Sequence, residues 1–188
     1  MENIRSFIAA HGQVADGEWD YISAKFVRKV IPKKTVILHM NEIENNIHFL
    51  EKGIIREYIP ALEQDLTFDF TFEDQFFSAY WSFLHRLPNQ YQMQTLTKTI
   101  LYSMTYDDLQ DVYQNTRIGN IIGRLTAERL YINKFKRELS LLKDSAEERY
   151  LKLFEENPKL ICQIPLKYIA SYIGITPQAL SRIRKRIS

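Results

Sequence analysis

The 188 residues are 45% apolar and 26% charged, enough to fill one core with a small appendage and too apolar for wholesale disorder. A single cysteine, Cys162, excludes an internal disulfide and any multi-cysteine zinc or iron–sulfur site within one chain, and the four histidines lack ligand spacing. The net charge of +2 hides an asymmetry: Lys159 to Ser188 holds six of the 25 basic residues and none of the 23 acids, so that end is +6 and the rest −4. Such a basic end on an acidic body predicts an anionic partner that meets only that end.

The opening "MENIRSFIAAHG" has no basic start followed by an apolar stretch, so no secretory signal is expected. No apolar run approaches the roughly 20 residues needed to cross a bilayer, and the expected compartment is the cytoplasm, with no membrane partner. Next, "DGEWDYISAKF" predicts a helix with Asp16 as N-cap and Pro32 beyond its end. From about Thr35 to Tyr106 the runs "TVILHM", "IHFLEKG", "IIREYI", "LTFDFTF" and "QMQTLTKTILYSM" predict short strands of an antiparallel barrel or sandwich. In "LTFDFTF", alternation puts Leu66, Phe68, Phe70 and Phe72 on one face and Thr67, Asp69 and Thr71 on the other. Gly53 falls between two runs, where a tight turn needs positive φ.

A long helix is expected from about Asn115 to Lys143. With Ile118 at heptad position a, positions a hold Ile118, Leu125, Ile132 and Leu139, and positions d hold Ile121, Glu128, Phe135 and Leu142. All but Glu128 are apolar over four heptads, which predicts a dimer seam. Ile122, Leu130 and Tyr131 lie off that seam and are expected to pack on the strands. Then "SAEERYLKLFEENPKL" reads as an amphipathic helix stopped by Pro158.

The stretch "PLKYIASYIGITPQALSRIRKR" satisfies the constraints of a helix-turn-helix. Ala170 stands where two helices approach too closely for a larger side chain, and Gly174 where the turn needs φ > 0. Ile169, Ile173, Leu180 and Ile183 supply the small core. Thr176 caps the second helix, and Pro177 takes its first position, where an N–H is not needed. A buried stripe of Leu180, Ile183 and Ile187 leaves Gln178, Ser181, Arg182 and Lys185 on the opposite face, side chains able to read base edges in a major groove. Arg184 and Arg186 flank that face and Lys167 begins the first helix; these are assigned to phosphates, which position without specifying, and Thr176 is counted with the DNA-binding residues.

This order of strands, long helix and "ITPQALSRIRKR" resembles the Crp/Fnr family of bacterial transcription regulators over nearly the whole chain. The resemblance implies an α+β fold: an N-terminal antiparallel β-roll of the cyclic-nucleotide-binding type, a long dimerisation helix and a C-terminal helix-turn-helix. The division expected is 1–114, 115–143 and 144–188. It also implies a homodimer on double-stranded DNA, with RNA polymerase as a further partner, and base-reading positions at Gln178, Ser181 and Arg182, Pro177 replacing a frequent polar or basic residue.

In that family a Phe-Gly-Glu element and an Arg-Ser element hold the cyclic nucleotide. Here "EDQFFSAYWSFLHRLPNQYQMQTL" places Phe77 at the glycine, Ser78 at the glutamate and Asn89 at the arginine, with Gln90 following. Losing the arginine removes a charge-assisted bond worth roughly 1.5–3 kcal/mol, and Arg86 lies three residues early. Cyclic AMP is therefore not the expected effector. The effector stays open among a small apolar ligand held by Phe77, Trp81 and Tyr91, none at all, and a cyclic nucleotide, and no cofactor is assigned; a lone histidine or Cys162 leaves haem open. The function read is a DNA-binding regulator; the alternative is a signalling module whose basic end meets another acidic partner. Without a nucleophile–base pair, metal-spaced ligands or a phosphate loop, an enzyme is not expected.

Overall fold

The computed structural model describes residues 1–10, 12–156, 158 and 162–187. Eight strands form two four-stranded antiparallel sheets facing each other. One sheet has the order β1 (Val27–Ile31), β8 (Thr99–Thr105), β3 (Asn46–Lys52), β6 (Gln75–Phe77); the other runs β2 (Val36–Leu38), β7 (Gln92–Thr95), β4 (Ile55–Ile59), β5 (Leu66–Thr71). The run "QMQTLTKTILYSM" is thus two strands rather than one. Leu38, Leu50, Ile55, Phe77, Met93 and Leu101 fill the space between the sheets.

Two helices precede the roll, α1 (Glu2–Ala9) and α2 (Asp16–Ser23). Helix α1 is not among the sequence expectations, yet Ile4 and Ile8, four residues apart, are both buried. The expected N-cap moves by one residue: Ala15 precedes α2, and Asp16 lies in the first turn with its carboxylate taking Arg5 Nη2 at 2.9 Å. Pro32 follows β1, not the helix. Helix α3 (Tyr80–His85) lies between β6 and β7, and α4 (Tyr106–Asn115) follows β8.

Helix α5 spans Arg117–Lys143. It starts two residues later than expected because Thr116 caps it, its Oγ1 accepting from Gly119 N at 3.1 Å. Its first turns belong to the protomer's own core. Ile118 is buried against Val112 of α4 and the α1 and α2 isoleucines, with Ile121 and Ile122 packed on the same cluster. The seam expectation therefore fails at Ile118, which has no surface left for a partner, and weakens at Ile121. Further along, Tyr131, Ile132, Phe135, Leu139 and Leu142 are exposed, so the expected packing of Tyr131 on the strands is also not found. Glu128, the polar exception, pairs with Arg124 at 2.7 Å.

Helix α6 (Ala146–Glu156) opens on a reciprocal cap: Ser145 N donates to Glu148 Oε2 at 2.7 Å and Glu148 N to Ser145 Oγ at 3.2 Å. Helices α7 (Leu166–Tyr172) and α8 (Pro177–Ile187) complete the described chain. Tyr150, Leu153, Ile164, Ile169, Ala170, Ile173, Leu180 and Ile183 form their core, and that core continues into Ile54, Phe70, Phe72 and Leu96 of the roll. The C-terminal helices are docked on the second sheet.

Strand β5 departs from simple alternation. In its pairing with β4, Asp69 stands opposite Glu57 and Thr67 opposite Tyr58, so Phe68 has no partner and the strand bulges there. A bulge reverses the parity of everything beyond it. Phe70 and Phe72 face the C-terminal helices, Phe68 turns instead toward the Tyr91 ring, and Leu66 is exposed while Thr67 is buried.

Gly53 turns β3 into β4 at φ +115°, and a Cβ there would stand 2.7 Å from Thr99 Oγ1. Gly53→Ala is expected to lower stability by about 1–3 kcal/mol, read as a fall in the urea midpoint. Gly17→Ala, where a Cβ meets nothing within 4 Å, is the control and leaves the midpoint level or higher.

Candidate nucleic-acid interface and effector cleft

The turn between α7 and α8 is set by backbone geometry. Gly174 takes φ +78°; its N–H reaches Ser171 O at 3.1 Å, and Ile175 N reaches Ala170 O at 2.9 Å, the paired closure of a Schellman turn. Ala170 is fully buried where the helices meet. Thr176 Oγ1 accepts from Ala179 N at 3.2 Å, so its hydroxyl caps α8 and is already engaged. Leu180 and Ile183 anchor α8, but the buried stripe ends there and Ile187 is exposed.

Gln178, Ser181, Arg182 and Lys185 all lie exposed on the side of α8 away from that stripe. Lys167 projects from the first turn of α7, its Nζ 5.1 Å from the Tyr168 ring centre. One expected phosphate contact is spoken for: Arg186 is ion-paired with Glu147 of α6. Arg184 is also exposed.

The docking of this unit on the roll rests on residues that the sequence reading missed. Arg56, on β4, is 1% exposed. Its guanidinium lies between the rings of Tyr58 and Tyr168, 4.0 and 3.7 Å from their centres. Its Nε donates to Thr67 Oγ1 at 2.8 Å and its Nη1 to Asp65 Oδ2 at 3.1 Å. Ser171 on α7 donates to Asp65 O at 2.8 Å and accepts from Thr67 N at 2.9 Å. From α5, Arg137 donates to Phe68 O at 3.3 Å and to Tyr172 O. The available signal was an arginine in the middle of the apolar run "IIREYI".

A cleft of about 1030 Å³ runs along α5, open toward the roll. Phe77 and Ser78 are on its wall, but neither offers a ligand group: Phe77 is buried against the His48 ring at 5.0 Å, and Ser78 Oγ donates to Asn46 O at 2.9 Å. Asn89 and Gln90 are not on the wall. Asn89 is buried within its loop, its Nδ2 on Tyr91 O at 2.5 Å and its N–H on Glu42 O at 2.7 Å, so the structure does not support these two as ligand groups. Arg86 is likewise held elsewhere, against Glu44 O at 3.1 Å and the Tyr106 ring at 5.0 Å.

What the wall does present is Glu57, Phe68, Asp69, Trp81, Tyr91 and Lys134. Phe68 and Tyr91 meet edge to face at 4.7 Å, and Lys134 of α5 pairs with Asp69 beside the Phe68 ring. Burial first, and then the facing Asp69 carboxylate, push the Glu57 carboxyl up to about 8, against the opposing pull of Lys134 and of the Tyr91 hydroxyl that donates to it. The same burial and the same acids raise the Tyr91 phenol. Among the described residues no cluster of His, Cys, Asp and Glu could hold a metal ion, and no helix is long and apolar enough to cross a membrane.

No protein-family model matches the sequence, and no curated protein matches it. Solved structures do. The c-di-GMP responsive global regulator CLP of Xanthomonas campestris superposes with TM-score 0.71 at 15% identity, over 92% of this chain and 91% of that one. A CooA variant from Carboxydothermus hydrogenoformans gives 0.71 at 14%, over 95% and 82%. A protein from Eubacterium rectale assigned to the crp/fnr family of transcriptional regulators gives 0.69 at 14%, over 93% and 83%. The chain has the Crp/Fnr regulator fold. Within that fold, the roll, the long helix and the C-terminal helix pair stand in the order that the sequence predicted.

Glu57 makes stability depend on pH. A carboxyl at about 8 in the fold and 4.5 in the unfolded chain keeps its proton natively where the unfolded chain has lost it. Stability therefore falls as pH rises through that window, by up to about 1.4 kcal/mol per pH unit. Urea unfolding at pH 6 and pH 8 is expected to show a smaller drop for Glu57→Gln than for the wild type. Equal drops would remove this role.

Proposed function

We propose that this chain is a homodimeric, DNA-binding transcription regulator that inserts α8 into the major groove and does not answer to cyclic AMP. One observation carries the reading: α8 presents Gln178, Ser181, Arg182 and Lys185 together, exposed and free of acids, from a helix-turn-helix closed by Gly174. A basic stripe is often only a solvated face. Here it coincides with the one surface of the motif that can enter a groove. The regulators that share the fold support the reading, and support binding rather than catalysis. Ser78 and Asn89, spent on Asn46 and Tyr91, support the exclusion of cyclic AMP.

Arg182 is positioned to hold guanine O6 and N7, a pair worth roughly 1–3 kcal/mol against a wrong base. Arg182→Ala is expected to weaken binding to the preferred inverted-repeat site while leaving nonspecific binding little changed, in mobility shifts at two salt concentrations. Lys167→Ala is expected to weaken all sequences alike and to flatten the salt dependence by about one unit. Equal loss on every DNA from Arg182→Ala would reduce that side chain to a phosphate clamp.

The proposed seam lies on the exposed half of α5, at Ile132, Phe135, Leu139 and Leu142, with Leu125, half-buried, at its edge. Ile132→Asp puts a charge at its centre and is expected to yield monomers by light scattering; an unchanged mass would reject the seam. Calorimetry with cyclic AMP is expected to show millimolar affinity or none, and a low-micromolar constant would overturn that part of the reading.

A further inference from the structure

Glu57 and Asp69 face each other in register on adjacent strands, and both line the cleft. Two ionised carboxylates directly opposite across a strand pair destabilise a sheet, so this pair needs a retained proton or a positive partner. Lys134 supplies one, to Asp69. Among the described residues Glu57 receives the Tyr91 hydroxyl, whereas a carboxylate can accept about four hydrogen bonds. It is 6% exposed and lines the cleft.

The cleft wall also carries the rings of Phe68, Tyr91 and Trp81, Phe68 edge to face on Tyr91 with Lys134 beside it and Trp81 stacked on His85. Rings beside a carboxylate are the chemistry that recognises a cationic nitrogen, since the negative face of each ring adds to the carboxylate's attraction. From this geometry we infer that the cleft binds a small ligand with a protonated nitrogen on an apolar body, the nitrogen seated at Glu57 and Asp69 and the body against Phe68, Tyr91 and Trp81. The inference rests on reading the cleft as the regulator's effector pocket, but it is tested without DNA, so either can fail alone.

Arrival of a cation also has a proton consequence. The groups facing Glu57 are Asp69 from β5, Lys134 from α5 and Tyr91 from the approach to β7. With the carboxyl raised to about 8, it holds its proton at pH 7 and gives it up to solvent when a cation takes the site, about one proton per site.

The probes are tryptamine, its neutral counterpart 3-ethylindole and its acidic counterpart indole-3-propionate, titrated into the full chain at pH 7 in phosphate and in Tris. Tryptamine is expected to bind about tenfold or more tighter than either counterpart, with heats that differ between the buffers by the ionisation of about one proton. Glu57→Gln is expected to weaken tryptamine about tenfold and to abolish the buffer dependence, while its urea midpoint, level with or above the wild type, shows that it folds. Asp69→Asn, which leaves Glu57 in place, is expected to weaken tryptamine less. Equal or tighter binding of indole-3-propionate overturns the inference, as does a Glu57→Gln protein that binds tryptamine unchanged. So does the absence of binding by tryptamine, 2-phenylethylamine and cyclohexylmethylamine alike up to about 10 mM.

Discussion

The burial of one arginine governs how the two halves of this protomer meet. A guanidinium taken out of water is costly unless its charge and its N–H groups find partners. Arg56 finds Asp65, Thr67 and two tyrosine faces, and one of those faces, Tyr168, comes from the helix-turn-helix. Its Nη2 finds no partner among the described residues. The roll therefore presents a charge that is satisfied only when α7 is in place. Ser171, bonded both to Asp65 O and to Thr67 N, fixes where along the hairpin α7 sits.

The same hairpin has two faces with different duties, and the bulge at Phe68 keeps them apart. On β4, Arg56 faces the C-terminal helices while its neighbour Glu57 faces the cleft. On β5, Asp69 faces the cleft and Phe70 the C-terminal helices, where its ring lies 5.2 Å from Tyr172. Between them Arg137, reaching from α5, ties the bulge carbonyl of Phe68 to Tyr172 O. Cleft wall and helix-turn-helix dock share two strands, with a single peptide step separating a residue of one from a residue of the other.

The helix-turn-helix was legible because its constraints are local. A glycine at one turn position, an alanine at one crossing and apolar residues at fixed offsets are all visible within about twenty residues, and Gly174, Ala170, Leu180 and Ile183 stand where those constraints place them. The inner strands were legible for a similar reason, being apolar runs punctuated by Gly53. Strands β1 and β6 were not: β1 leaves Val27 and Val30 exposed, and β6 is only three residues long. The bulge was invisible, since "LTFDFTF" alternates perfectly in letters and only the partner strand shows where a residue is skipped. The cleft was half legible. Reading it through a family cassette drew attention to Asn89, which turned inward, while Glu57 lay unnoticed in "IIREYI". Its significance depends on Asp69, twelve residues away and across a strand pair.

Ile118 has a consequence for assembly. Because the first turns of α5 are locked into the protomer's own core, with Thr116 capping them, the helix enters any pairing already built and already aimed. Its far half offers Ile132, Phe135 and Leu142 to solvent along a fixed axis. Two such protomers would meet as rigid bodies, ordering little on contact, so the entropy that association normally costs in aligning a flexible segment has been spent during folding. Affinity between copies could then change through a few exposed side chains, without touching the stability of either copy alone.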